Sequence, residues 1–139
     1  MSESLPEVYL ARHGETAWTV SRQHTGRTDL PLTPRGEDNA WGLRDRLRGL
    51  AFDRVLVSPL RRARQTCLLA GFGEQAVPAA DLTEWDYGEY EGLTTAEIRS
   101  KRPGWSLFRD GCPGGESVAA VGARADRSSR GLVRCRAAP

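Results

Sequence analysis

The sequence predicts an α/β domain with a largely parallel sheet, and three observations carry that reading. Apolar, β-rich runs at residues 8–11 and 52–57 are each followed by a turn and then by a helix-type pattern. Both main helix patterns open on capping chemistry, with Thr33 ahead of Pro34 and Ser58 ahead of Pro59. Strands that alternate with helices make βαβ units, whose crossovers leave neighbouring strands parallel.

Taken in order, Val8-Tyr9-Leu10-Ala11 runs straight into Arg12-His13-Gly14-Glu15-Thr16, a strand ending in a glycine turn and a Glu-Thr pair able to open a helix. Residues 18–29 read as a loop. Thr33 then caps a helix whose apolar series Ala40, Leu43, Leu47 and Leu50 recurs at helical spacing and ends near Gly49. That stripe is a packing face. After the run at 52–57, the helix opening at Ser58-Pro59 turns Leu60, Ala63, Cys67, Leu68 and Ala70 inward and stops near Gly71 or Gly73. Residues 81–92 are acidic and aromatic and read as an irregular surface segment. Residues 94–101 form a short helix stopped by Pro103-Gly104, residues 113–117 a turn, and residues 117–126 a further helix. From residue 127 to 139 there is no periodicity and no acidic residue, the composition of a disordered or loosely docked tail.

Bulk properties set the frame. A chain of 139 residues is one domain with room for a core. Its 39% hydrophobic and 27% charged residues fit a soluble globular protein. A net charge of +2 gives no argument for a nucleic-acid or membrane partner. All but one of the 20 cationic side chains are Arg, the exception being Lys101, a bias we attribute to composition. No apolar run is long enough to span a bilayer, and residues 1–6 lack the basic and apolar regions of a signal peptide. Cys67, Cys112 and Cys135 are odd in number and lack metal-like spacing, so reduced thiols and a cytoplasmic location are the expectation. His13 and His24 are too few for a histidine-based zinc site.

Two segments carry chemistry. A strand running through a glycine turn into a helix presents backbone N–H groups where open α/β sheets bind ligands and where anions sit well. Arg12 and His13 add a cationic donor beside a nucleophile or base. In Ser58-Pro59-Leu60-Arg61-Arg62-Ala63-Arg64-Gln65-Thr66, cations crowd the first turn of a helix, where they oppose the dipole. A local conflict of that kind marks function, and a guanidinium there can clamp phosphate.

Arg12-His13-Gly14-Glu15-Thr16 resembles the signature of the histidine phosphatase superfamily, the phosphoglycerate mutase-like proteins. Residues 58–66 resemble its second motif, which places the phosphate-binding Arg at Arg62 and leaves Arg61 and Arg64 as solvated cations. Leu82-Thr83-Glu84-Trp85-Asp86-Tyr87-Gly88 resembles the region supplying the proton donor, which falls on Glu84. A carboxyl beside a bound phosphate dianion is disfavoured as an anion and can hold the proton that a leaving oxygen needs. Glu89 and Glu91 are read as facing solvent. Residues 24–33 resemble the substrate loop, so Thr25 and Gly26 would contact substrate, with His24 a further candidate. Thr19 stands where phosphoglycerate mutases proper usually carry Asn. With His24-Thr25-Gly26 it brings the chain nearer to the broad-specificity and sedoheptulose-bisphosphatase-type branch.

The resemblance implies a three-layer αβα fold and a phosphomonoester hydrolase acting through a phosphohistidine. His13, Glu84, Arg12 and Arg62 would be catalytic, and Arg12, Arg62, His24, Thr25 and Gly26 would bind substrate. It implies no metal and no cofactor, and a small phosphorylated metabolite such as a sugar phosphate as partner, with no nucleic acid and no membrane. Oligomeric state is not legible. Phosphoglycerate mutase, or a catalytically impaired remnant that binds phosphorylated ligands, stand as alternatives. The resemblance covers roughly residues 7–126. Family members continue into another strand ending in a second His-Gly, whereas no His follows His24. The expectation is therefore an incomplete domain over 1–127, truncated or frame-shifted, lacking the C-terminal part of its sheet, and followed by an atypical basic tail over 128–139.

Overall fold

In the computed structural model, residues 6–134 are described, with side chains to residue 132. The elements are α1 (Ala17–Ser21), α2 (Pro34–Arg46), β1 (Val55–Val57), α3 (Arg61–Leu69), β2 (Ala76–Pro78), α4 (Thr95–Lys101), α5 (Leu107–Asp110) and α6 (Val118–Arg134). β1 and β2 pair in parallel, Val55 beside Ala76 and Val57 beside Pro78, with α3 as the crossover. This is the βαβ unit of the predicted α/β class. The sequence showed no sign of β2, because three residues are too few to display a period.

Capping chemistry decides where the helices begin. The Thr33 hydroxyl accepts from the Gly36 N–H at 3.0 Å to start α2. Thr94 and Glu97 form a reciprocal capping box at α4. Thr16 and Thr19 form another at α1, so part of the predicted 18–29 loop is helical after all. At α3 the expectation fails. Leu60 occupies the cap without a side-chain bond, and the helix starts at Arg61 rather than at Pro59. A carboxylate from a distant loop supplies the missing acceptor, with Asp29 Oδ1 taking the Arg61 N–H at 2.6 Å.

Other expectations are corrected by packing. Residues 8–11 form no regular element and join no ladder among the described residues, and Leu10 is 95% exposed. β-Propensity makes a strand only where a neighbour accepts its hydrogen bonds. On α3, Ala70 is buried as expected but Leu68 is exposed. The 81–92 segment is irregular, with 3₁₀ turns at Ala80–Leu82 and Gly88–Tyr90. It is not merely surface, because Trp85 and Tyr87 belong to the main core cluster with Ile98, Trp105 and Cys112. The predicted disordered tail is helical as far as Arg134, since α6 runs on past residue 126. Its last turns lack an apolar stripe, and an Arg- and Ser-rich helix gives little periodic signal. Residues 135–139, Cys135 included, lie outside the described residues.

That core cluster joins the acidic segment, through Trp85 and Tyr87, to Ile98 of α4, with Leu107 of α5 and Val121 of α6 packed against it. Trp105 is 2% exposed, and its indole N–H donates to the Gly111 carbonyl at 2.9 Å. No helix among the described residues is long and apolar enough to cross a membrane.

Candidate active site

The turn at residues 13–16 is held from two sides. The Gly14 N–H donates to Thr66 Oγ1 at 2.9 Å, and the Thr66 hydroxyl donates to the Arg62 carbonyl at 2.8 Å. Thr66 therefore ties the turn to the helix carrying Arg62. On the other side, the start of α2 presses against the backbone. A Cβ at Gly14 would fall on the Gly36 carbonyl oxygen, and a Cβ at Gly36 would fall on that of Glu15. Both glycines are needed for this close approach.

His13 is half-buried, and its two partners set its tautomer. Nδ1 lies 2.8 Å from the Gly14 carbonyl, which can only accept, so Nδ1 carries the proton. Nε2 receives the Arg62 Nε–H at 3.2 Å, so Nε2 holds the lone pair. Burial pushes the imidazole below its ordinary value. The Gly14 hydrogen bond and Glu84 oppose that shift, while Arg62 and Arg12 reinforce it. The ring is neutral, and its basic nitrogen, bonded to the Arg62 guanidinium, also feels that of Arg12.

His24 is likewise lowered by burial, against the raising influence of Glu91 and Glu84. With only these two His in the chain, a proton NMR titration should show two imidazole midpoints, both below the ordinary imidazole value of about 6.5. A His13 midpoint at or above that value would overturn the neutral assignment. The unfolded chain takes up these protons first as pH falls. Stability is therefore lost progressively below about pH 6.5, until the folded-state midpoints are passed.

Arg62 is 1% exposed. Four of the five N–H groups of its guanidinium are engaged. Nε–H goes to His13, Nη1 to the Thr28 carbonyl at 3.1 Å, and Nη2 to those of Thr25 at 3.1 Å and Gly26 at 3.0 Å. The loop is gripped on its N–H side by Glu91, whose Oε1 accepts from Gly26 at 2.8 Å and Thr28 at 3.2 Å. Glu91 thus does not face solvent, and its Oε2 is buried without a partner among the described residues. Gly26 is buried and has no room for a side chain, because a Cβ there would fall on the Trp85 carbonyl oxygen.

The structure brings Arg12, His13, Arg62 and Glu84 into the wall of one open cleft of about 720 Å³. Arg12 is exposed, and no hydrogen bond holds its guanidinium among the described residues. Glu84 is exposed, with Oε1 accepting from the Trp85 N–H at 2.8 Å. Arg61 and Arg64 are exposed, as expected. His24, Thr25 and Gly26 are not in that wall. His24 stacks 4.9 Å from Tyr87 and meets Trp105 edge-on, with Nε2 at 3.2 Å from the Thr95 hydroxyl. Thr25 and Gly26 offer their carbonyls to Arg62, and the Thr19 hydroxyl serves the α1 cap.

Sequence reasoning passed over Thr66 and Glu91. Thr66 stood in a quoted motif, one helical turn after Arg62, and that spacing was the available signal. Glu91 had none. Cys67 and Cys112 are free thiols. No group of three or more His, Cys, Asp or Glu is placed to hold a metal among the described residues.

Comparison with known proteins decides the family. The histidine phosphatase superfamily (branch 1) matches residues 8–137. The chain belongs to that superfamily. An acid phosphatase of Mycobacterium tuberculosis is 48% identical over 119 residues, which is 84% of this chain and 58% of that protein. The sedoheptulose 1,7-bisphosphatase of Saccharomyces cerevisiae is 36% identical over 152 residues, covering 92% of this chain and 56% of the yeast protein. Among solved structures, an open-reading-frame product of Mycobacterium tuberculosis superposes with a TM-score of 0.80 at 45% identity, over 85% of this chain and 62% of that one. The chain thus spans little more than half the length of these two curated relatives. Within the superfamily's αβα fold, the βαβ unit and the Arg12-His13-Gly14 turn form the part described above.

Proposed function

We propose that the cleft hydrolyses phosphomonoesters of small metabolites, with sugar phosphates as the substrate class, through a phosphohistidine on His13. The observation that carries this is the pinned tautomer, a neutral ring whose unprotonated Nε2 lies with Arg12, Arg62 and Glu84 on one cleft. Relatives named acid phosphatase and sedoheptulose bisphosphatase support the class.

An arriving phosphoryl oxygen competes for the Arg62 Nε–H and frees the Nε2 lone pair. That lone pair forms the N–P bond in line as the ester P–O bond breaks. Arg12 and the remaining Arg62 N–H stabilise charge on the equatorial oxygens. Glu84 gives its proton to the departing alkoxide. The resulting carboxylate then takes a proton from the water that attacks phosphorus, the N–P bond breaks, and His13 returns neutral. The Gly14 carbonyl holds Nδ1–H throughout and stabilises the imidazolium character that develops.

Rapid quenching during turnover of radiolabelled phosphomonoester tests this directly. The expected result is protein-bound phosphate that survives base, is lost in acid, and maps to the peptide containing His13. Turnover without bound phosphate, or an acid-stable adduct, would overturn the mechanism. Phosphate binding without turnover would make the chain a ligand-binding protein instead.

A further inference from the structure

We propose that Glu116 and Arg124 are positioning residues that fix the backbone carrying Glu84, and so aim the acid of the reaction proposed above, on which this inference rests. Glu84 needs such help. Among the described residues, its segment belongs to no ladder and no α-helix, and its carboxylate is hydrogen-bonded only to the next residue's N–H, through Oε1. The direction of the side chain is therefore inherited from the main chain.

That main chain hangs on two residues from elsewhere. The Arg124 guanidinium, on α6, grips Glu116 with Nε and Nη2, both at 2.8 Å, a bidentate fork. Its other donors reach the acid segment. Nη1 donates to the carbonyls of Asp81, at 3.0 Å, and Thr83, and Nη2 reaches that of Glu84 at 3.3 Å. Glu116 works from the far side. Its Oε2 accepts from the Asp86 N–H at 2.8 Å, its N–H donates to the Asp86 carbonyl at 2.9 Å, and its carbonyl accepts the Trp85 indole N–H at 3.0 Å.

Main-chain groups on both sides of Glu84 are thus held by one ion pair. The pair itself is well shielded, with side chains 12% and 18% exposed. Arg124, before any other influence, holds the Glu116 carboxyl down at about 2, so the clamp stays charged wherever the enzyme works. The neighbouring Arg127–Asp81 pair is far more exposed and adds little. Backbone packing reinforces the clamp, since a Cβ at Gly115 would fall on the Asp86 carbonyl oxygen. Only a planar fork can bind a carboxylate and three carbonyls together, which a lysine cannot.

The test exploits leaving-group chemistry. An alkyl phosphate needs a proton on its departing oxygen, whereas 2,4-dinitrophenyl phosphate does not. In Arg124→Lys and Glu116→Gln, kcat for the alkyl phosphate should fall about 10- to 100-fold, less than the ~10²–10⁴-fold of a lost general acid, because the acid is misaimed and not removed. The loss for the dinitrophenyl ester should stay below about 3-fold, and Glu84→Gln should show the same selectivity. Equal losses on both esters, or no loss on either, would overturn the proposal.

Amide hydrogen exchange reads the clamp without turnover. Trp85 and Asp86 should exchange at least about tenfold faster in either variant, with Gly14 unchanged. Unchanged exchange at Trp85 and Asp86 would overturn the clamp. If the unaltered chain hydrolyses neither ester, the phosphatase reading fails by itself, and the exchange result still decides whether these residues hold the segment.

Discussion

Replacing His13 with alanine is expected to lower p-nitrophenyl phosphate hydrolysis at least about a thousandfold, as loss of a nucleophile does elsewhere. The prediction rests on position. Nε2 of His13 is an unprotonated nitrogen in the wall that also holds Arg12, Arg62 and Glu84. The other imidazole cannot replace it, because His24 lies between Tyr87 and Trp105 with its Nε2 on Thr95. The fold should survive, since the ring makes two hydrogen bonds at the edge of an open cleft where water can replace it. Parallel rate and urea-unfolding measurements on the variant would check both parts. A residual rate within about tenfold of the parent would place the attack on another group.

Arg62→Met should cost more than any surface substitution, in stability and in rate together. Methionine fills much of the volume but leaves the carbonyls of Thr25, Gly26 and Thr28 without their donor. A stranded buried acceptor costs roughly 1–3 kcal/mol, a cost that falls in full on the Gly26 carbonyl and in part on the half-buried carbonyls of Thr25 and Thr28. Relief from burying a charge offsets part of that, so a net loss of about 3–5 kcal/mol is expected. Loss of the Arg62 Nε–H at His13 and of its remaining donor should lower kcat a further ~10²–10³-fold. Arg61→Met, one residue away but exposed, should stay within about 0.5 kcal/mol of the parent. Urea midpoints for the two variants separate the cases, and an Arg62→Met chain as stable as Arg61→Met would refute the buried-fork account.

The same pair of arginines shows how far sequence reasoning reached. A functional role for the first turn of α3 was expected from a local conflict, cations set against the helix dipole, and the family resemblance placed that role on Arg62. What Arg62 does with its charge was not legible, because its partners lie in a loop more than thirty positions upstream. The substrate-loop reading of Thr25 and Gly26 suffered the same fate. Their residue types were recognisable, yet the structure uses their carbonyls to hold Arg62 and the Gly26 N–H to meet Glu91. At α3 the Ser58-Pro59 start signal was overridden by Asp29, an acceptor delivered by tertiary contact.

The family resemblance implied the grouping of Arg12, His13, Arg62 and Glu84; by itself, the sequence determined the α/β class, the helix starts at Thr33 and Thr94, and the βα order around Val57 and Arg61. Each of these rests on chemistry within a few residues, whether caps, apolar spacing or a motif read along the chain. Only the tertiary structure decided that residues 8–11 join no described ladder, that Glu91 turns inward, that α6 runs on to Arg134, and that Arg124 reaches back to the segment of Glu84. The reason is physical. A buried carboxylate, carbonyl or guanidinium takes whichever partner the fold brings within about 3 Å, and that partner can lie anywhere along the chain.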